Sequence, residues 1–474
     1  MTGPGARLSS GFLRVFFSLY VVLGLGLIAL TPPFQSPDAF AHFDRAFGLA
    51  QGHVSNTTSG GSPGNTFPVG VYQMEVVFSG MAAGPGARVA TSEFVYGWRQ
   101  TWSSPKYFTV YDTGGNAPFL YAPQVLGIAL GRLFSGRLLV GYYLAEIMNL
   151  LAFVALTRWA MAQFARRLAL ALGVFLLLPM VNSLAISVNP DGLLLALSTV
   201  FAAACYNRYH SPTPVGTSGN RPWNFWSDPS DRVGFLSLLF MTIEKPPLLL
   251  LGLLLPVADL TSHFRRYVLR ALVVTGSVTF AYEVWVQFFA GPLGKRAPLA
   301  GVVPIRQLFM VLTHPLTDLA VLSHTLRVNG VLYAKEFIAG IGWLDTWFPS
   351  WFYQGMGVIL ILVMVGAISL RRDHVGRTLG GVAIVVLAAL ALMFTFYLVD
   401  TPYATGTIAG FQGRYLLPLV PSLLVVLGWP SASTPARLGR GSAIVDDYAS
   451  SALVVLQVCV FAAYVVTVLH RYWT

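Results

Sequence analysis

Long apolar runs separated by short polar gaps recur near residues 11–31, 139–160, 168–187, 191–207, 268–290, 353–370, 378–399, 414–430 and 449–469. A helix needs about 20 apolar residues to cross roughly 30 Å of hydrocarbon, so each run predicts a transmembrane helix. One stretch departs from the rule. Over residues 233–260 the tetrapeptide Glu244-Lys245-Pro246-Pro247 divides the apolar sequence into two halves too short for ordinary spans. They predict a hairpin of shortened helices with Lys245 at its tip, facing an outer cavity, because a charge at membrane depth needs water or a partner. The pattern as a whole predicts an all-α membrane protein, a bundle of about eleven transmembrane helices.

Two segments lie outside this bundle. Residues 32–137 form a first outer loop, whose stretch SNTTSGGSPGNTFPVG is expected to be a flexible excursion. It ends in APFLYAPQVLGIALGRLFSGR, an apolar segment too short to span, which predicts a helix along the outer interface. Residues 291–352 form a second outer loop, in which Trp343 and Trp347, with Trp351 beside them, suit an interfacial aromatic belt. Two parts follow: a core over 1–290 that includes the first loop, and 291–474 with the second loop and the last helices. No internal repeat is visible, which weighs against a secondary transporter.

Composition reinforces the pattern. Of 474 residues, 55% are hydrophobic and 10% charged, and mean hydropathy is +0.65. The formal net charge of +11 comes from basic residues in short gaps, and so reads as orientation in the bilayer. No basic helix, zinc spacing or RNA-binding fingerprint accompanies it, which excludes nucleic acid as a partner. The positive-inside rule places Arg158, Arg166, Arg167, Arg208, Arg221, Arg371, Arg372 and Arg437 in the cytoplasm. The amino terminus is then inside and the carboxyl terminus outside a cytoplasmic (inner) membrane. Phe12 to Leu30 is too long for a signal-peptide core and lacks a cleavage motif, so it is expected to stay as the first span. Cys205 and Cys459 lie within apolar runs, leaving no disulfide framework and no cysteine metal site.

Candidate chemistry gathers on the outer side. In PPFQSPDAFAHFDRAFGLAQG, Ser36 can cap a helix with Pro37 at its first position and Asp38 in its first turn. At 100° per residue Asp38, His42 and Arg45 share one face, while Phe40, Phe43 and Phe47 share the other and are expected in the membrane surface. A solvated interfacial helix decorated with these charges is the plainer alternative. Asp191 opens a later span in SVNPDGLLLALS, where capping alone would explain it. Arg414 and Tyr415 open another in FQGRYLLPLVP, where snorkelling would explain the arginine. DTGGNAPFLYAP supplies Asp112 and Tyr121, and GWLDTWFP supplies Asp345, which suits a turn cap.

Taken in order, PPFQSPDAFAHFDRAFGLAQG, PFLYAPQVLGIALGRL, SVNPDGLLLAL, TIEKPPLLLL, GWLDTWFP and FQGRYLLPLVP resemble the successive motifs of a bacterial polytopic family of unknown function placed with the GT-C glycosyltransferases. The resemblance implies a GT-C-like bundle with interfacial helices in its outer loops. It also implies transfer of a sugar from a polyprenyl-phosphate donor to a glycan, lipid or protein acceptor on the non-cytoplasmic face. Asp38 then takes the position of the catalytic carboxylate. His42 is its neighbour for orientation or proton sharing. Arg45, Asp112, Tyr121, Asp191, Lys245, Asp345, Arg414 and Tyr415 are candidates for binding substrate. Ala39 stands where the family often has a second acid, so divalent metal use is left open and no cofactor is assigned. A flippase of lipid-linked glycans, and a polymerase or ligase using a pyrophosphate-linked oligosaccharide, are the alternatives.

Overall fold

The computed structural model describes residues 7–84, 86–210, 228–257, 264–290, 299–368, 375–428 and 440–474. Arg221, Arg371, Arg372 and Arg437, assigned above to the cytoplasmic side, lie outside the described residues. Among those described, six helices are long and apolar enough to cross a membrane. They are α1 (Ser10–Leu30), α6 (Leu138–Gln163), α11 (Phe264–Trp285, continued to Phe289), α14 (Ser350–Ala367), α15 (Val375–Val399) and α17 (Arg440–Tyr472, apolar from Tyr448). A seventh span is obtained if α7 (Arg166–Leu176) and α8 (Pro179–Ala185), bent by 77°, are taken together.

Among the described residues this falls short of the expected eleven, and several of the expected spans are broken helices. Pro179 cannot donate into the preceding turn and disfavours helical backbone at Leu178. At the break the Asn182 amide donates to the carbonyls of Leu177 and Leu178 at 3.0 and 2.9 Å, and the Asn182 backbone N–H also bonds the latter at 3.0 Å. The hairpin follows the same logic. Helix α10 (Pro229–Glu244) stops where Pro246-Pro247 begins a 3-10 helix over Pro246–Leu254, and Lys245 between them is extended. Residues 414–430 likewise divide into a 3-10 helix, Gly413–Leu419, and α16 (Val420–Leu427). Helix α9 (Asp191–His210) is buried nearly all round, packed between α6, α10 and α16. The second loop contains α12 (Pro304–Thr313) and α13 (Pro315–Ala339), the latter packed on Gly413–Leu419.

The first loop holds α2 (Ala39–Ala50), α3 (Val69–Ala83), α4 (Thr91–Arg99) and α5 (Ala122–Phe134), with a three-stranded antiparallel sheet between them. Strands β1 (Thr57–Ser59) and β2 (Ser62–Pro68) lie where a flexible excursion was expected, and β2 also pairs with β3 (Lys106–Val110). Gly60 and Gly61 join β1 to β2 with φ of 58° and 82°. Positive φ at both central residues suits a two-residue hairpin turn. Helix α5 packs closely on α6, since a Cβ on Gly127 or Gly131 would strike the α6 backbone.

The amphipathic reading of α2 is corrected. Phe43 and Phe47 are fully buried in protein, against Phe34, Tyr142, Phe67 and Trp102. Trp343 also leaves the expected belt: its indole N–H donates to the Phe34 carbonyl at 2.9 Å, and its ring packs on Phe40. Trp347 and Trp351 remain exposed.

Candidate functional site

Four charged side chains meet where the first loop, the hairpin and the late broken helix converge. Asp38 precedes α2 with φ 58° and ψ 20°, so it sits outside the first turn expected for it. Ala39 N–H bonds the Ser36 carbonyl at 3.2 Å, closing a turn around Asp38, and the Ser36 hydroxyl caps nothing. A left-handed conformation is costly for most residues but accessible to aspartate. It leaves the Asp38 carboxylate 57% exposed, with Oδ2 accepting from Arg414 Nη2 at 3.1 Å.

Asp191 also differs from its expected role. The acceptor at the start of α9 is Asn189 Oδ1, which takes the backbone N–H groups of Asp191 and Gly192. A buried amide network fixes this corner: Gln124 donates to Asn149 and to the Asn189 carbonyl, and Asn149 donates to the carbonyls of Leu184, Ala185 and Ser187. The Asp191 carboxylate thus bridges two cations, Lys245 at 2.6 Å and Arg414 at 3.3 Å.

Arg414 is 3% exposed, so it does not snorkel. Glu336 accepts the Gly413 N–H at 2.6 Å and pins the backbone beside it. Lys245 Nζ and the Arg414 guanidinium lie 4.7 and 5.0 Å from the centroid of the Tyr415 ring, a range for cation–π attraction. Two carboxylates and two cations make the resting cluster neutral.

A second layer lies behind Asp38. His42 Nδ1 and the Tyr121 hydroxyl are 2.7 Å apart, and Asn116 Nδ2 donates to Tyr121 and to Glu244, both at 3.2 Å. Burial pushes the His42 pKa down to about 4, against the pull of Asp38 and Asp191. It raises that of Tyr121. Asn116 and Glu244 were not foreseen. Glu244 was visible only as part of the helix break, and Asn116 as a loop residue.

The other candidates have different work. Arg45 is fully buried and donates through Nε and Nη2 to the Asn116 carbonyl at 3.1 and 2.6 Å, anchoring the loop that carries Tyr121. Asp112 is exposed and precedes the short 3-10 turn Thr113–Gly115. Asp345 accepts from the Trp343 N–H and from Arg471 at the end of α17, so it caps a turn and belongs to a separate cluster. Among the described residues, no group of three or more His, Cys, Asp or Glu side chains is placed to hold a metal ion.

Neither a curated protein nor a solved structure matches the chain. Residues 21–423, most of its length, match the family described as "Predicted membrane protein (DUF2142)", and the protein belongs to that family.

Proposed function

We propose that the protein is a membrane glycosyltransferase with a GT-C-like plan, moving a sugar from a polyprenyl-phosphate donor to a glycan, lipid or protein acceptor outside the cytoplasmic membrane. The observation that carries this reading is an accessible carboxylate, Asp38, held by a buried arginine that shares a second acid with Lys245. The reaction requires a base for the acceptor hydroxyl and fixed cations for the departing phosphate.

In the proposed step Asp38 takes the hydroxyl proton as the acceptor oxygen bonds to the anomeric carbon. The bond from that carbon to the phosphate oxygen breaks, and its electron pair stays on the phosphate. Negative charge on the phosphate is met by Arg414 and Lys245. Asp191 holds both cations in place. Donor binding also prepares the base, because a phosphate on Arg414 competes with Asp38 for the same guanidinium. Released from that bond, the carboxylate has both oxygens free to accept from the acceptor hydroxyl.

Purified protein in detergent tests the reading, since detergent has no two sides for a flippase to connect. Turnover of a polyprenyl-phosphate sugar is expected from the unsubstituted protein. Asp38→Asn should lower it about 10²–10⁴-fold with insertion and folding retained. Undiminished turnover by Asp38→Asn would remove Asp38 as the base.

A further inference from the structure

The donors and acceptors behind Asp38 can be assigned one at a time. Asn116 directs its amide nitrogen at the Tyr121 hydroxyl and at Glu244 Oε1. A side-chain amide carries two N–H protons, so both are used, and the Tyr121 oxygen is an acceptor in its bond. The Tyr121 side chain is fully buried, and its phenolic proton needs an acceptor of its own. His42 Nδ1, at 2.7 Å, supplies one. A ring nitrogen that accepts carries no proton, which places the imidazole proton on Nε2. Nε2 has no partner among the described residues and is not sealed from solvent. His42 stands one turn after Asp38, within the electrostatic reach of Asp191, Arg414 and Lys245.

We propose that Glu244, Asn116 and Tyr121 form a hydrogen-bond chain that holds His42 as a fixed Nε2–H donor, and that this N–H binds a phosphate oxygen of the lipid-linked substrate beside Arg414. The ligand half of the proposal rests on the functional reading above. The assignment of the ring proton does not. His42 is then a binding residue rather than a base, and Tyr121, Asn116 and Glu244 are positioning residues that act through it. Burial, which keeps the ring neutral, suits this role, because an uncharged imidazole can hold one donor and one acceptor at once.

The test uses the full-length protein in detergent, with ¹⁵N in its histidine rings and polyprenyl phosphate as the probe. An unprotonated Nδ1 and a protonated Nε2 are expected for His42, with the Nε2 resonance moving as the probe saturates. His42→Gln, which sets an amide donor near the Nε2 position, should bind the probe within about twofold of the unsubstituted protein. His42→Asn, whose amide lies near Nδ1, should bind about tenfold more weakly, the loss of one hydrogen bond to a charged group.

A proton on Nδ1 would overturn the chain, and this measurement needs no variant to fold. Bound probe with an unmoved Nε2 resonance, or equal affinities for the two variants, would overturn the ligand assignment. Failure to bind polyprenyl phosphate at all would overturn that assignment together with the functional reading. Retained transfer by Asp38→Asn, with the His42 signals as expected, would count against the proposed base alone.

Discussion

Asp38 and Asp191 bind the same guanidinium, yet their surroundings give them opposite duties. The Asp191 side chain is 13% exposed and bridges two cations, whereas that of Asp38 is 57% exposed and has one. Removing a charge from a buried pair strands its partner and typically costs about 3 kcal/mol or more. An exposed ion pair is worth about 1 kcal/mol or less. Asp191→Asn is therefore expected to destabilise the protein strongly, leaving Lys245 and Arg414 with one exposed acid between them. Asp38→Asn should leave thermal unfolding in detergent nearly unchanged. Equal losses of thermal stability in the two variants would contradict the division into a fixed counter-ion and a displaceable arm. Either outcome is read without any assay of transfer, so stability and chemistry are separated at the level of single carboxylates.

At the scale of elements, α2 and α3 share a buried pair of acids. Burial raises the Asp44 pKa to about 8, and its hydrogen bond with Glu75 only partly opposes this. Burial, with the Asp44 charge second, raises that of Glu75 well above its ordinary value. An acid whose pKa is higher in the folded state binds more protons there than in the unfolded chain, so stability falls as pH rises between the two values. For Asp44 that window runs from about 4 to about 8. Amide exchange in α2 and α3 should accelerate, beyond its intrinsic pH dependence, as pH rises through this range. Asp44→Asn should weaken the trend, leaving the part due to the buried Glu75, and a trend unaltered by that substitution would exclude Asp44 as a source. Such a pair could not be read from the sequence, because Asp44 and Glu75 come together only when two separate helices pack. The hairpin was legible, since Glu244-Lys245-Pro246-Pro247 breaks helical backbone wherever it occurs. Asp191, Lys245 and Arg414 were legible as charges at the edges of apolar runs, but their pairing was not. The β1–β2 hairpin left a signal, Gly60-Gly61 between residues able to pair, which the polar composition of the segment obscured. The faces of α2 misled because phenylalanines suit a lipid surface and a protein core equally well.

Across the whole molecule, the ends of three long helices fix a common level. The Trp473 indole at the end of α17 donates to the Leu30 carbonyl at the end of α1, 2.8 Å, and Tyr472 accepts the Val89 N–H of the first loop at 2.9 Å. At the start of α6, the Leu138 N–H bonds the Gln100 carbonyl at 3.0 Å. The first loop, and Asp38 with it, therefore belongs to the end of the bundle where α1 and α17 finish. Toward the other end, Arg166 bonds Ser450 near the beginning of the apolar part of α17, and Arg208 pairs with Asp231 in the first turn of α10. In the proposed orientation, Arg166 and Arg208 mark the cytoplasmic end and the Asp38 end faces outward. Single cysteines test that orientation. Ser59→Cys in the sheet and Thr474→Cys at the carboxyl terminus should both react with a membrane-impermeant maleimide on intact cells. Gln163→Cys, at the far end of α6, should react only after permeabilisation. The unsubstituted protein is the control, because Cys205 is buried and Cys459 lies along the apolar part of α17. Labelling of Ser59→Cys and Thr474→Cys from opposite sides would contradict the contacts that join α17 to the first loop. Labelling of both only after permeabilisation would turn the Asp38 cluster toward the cytosol and end the proposal of an outward-facing transfer reaction.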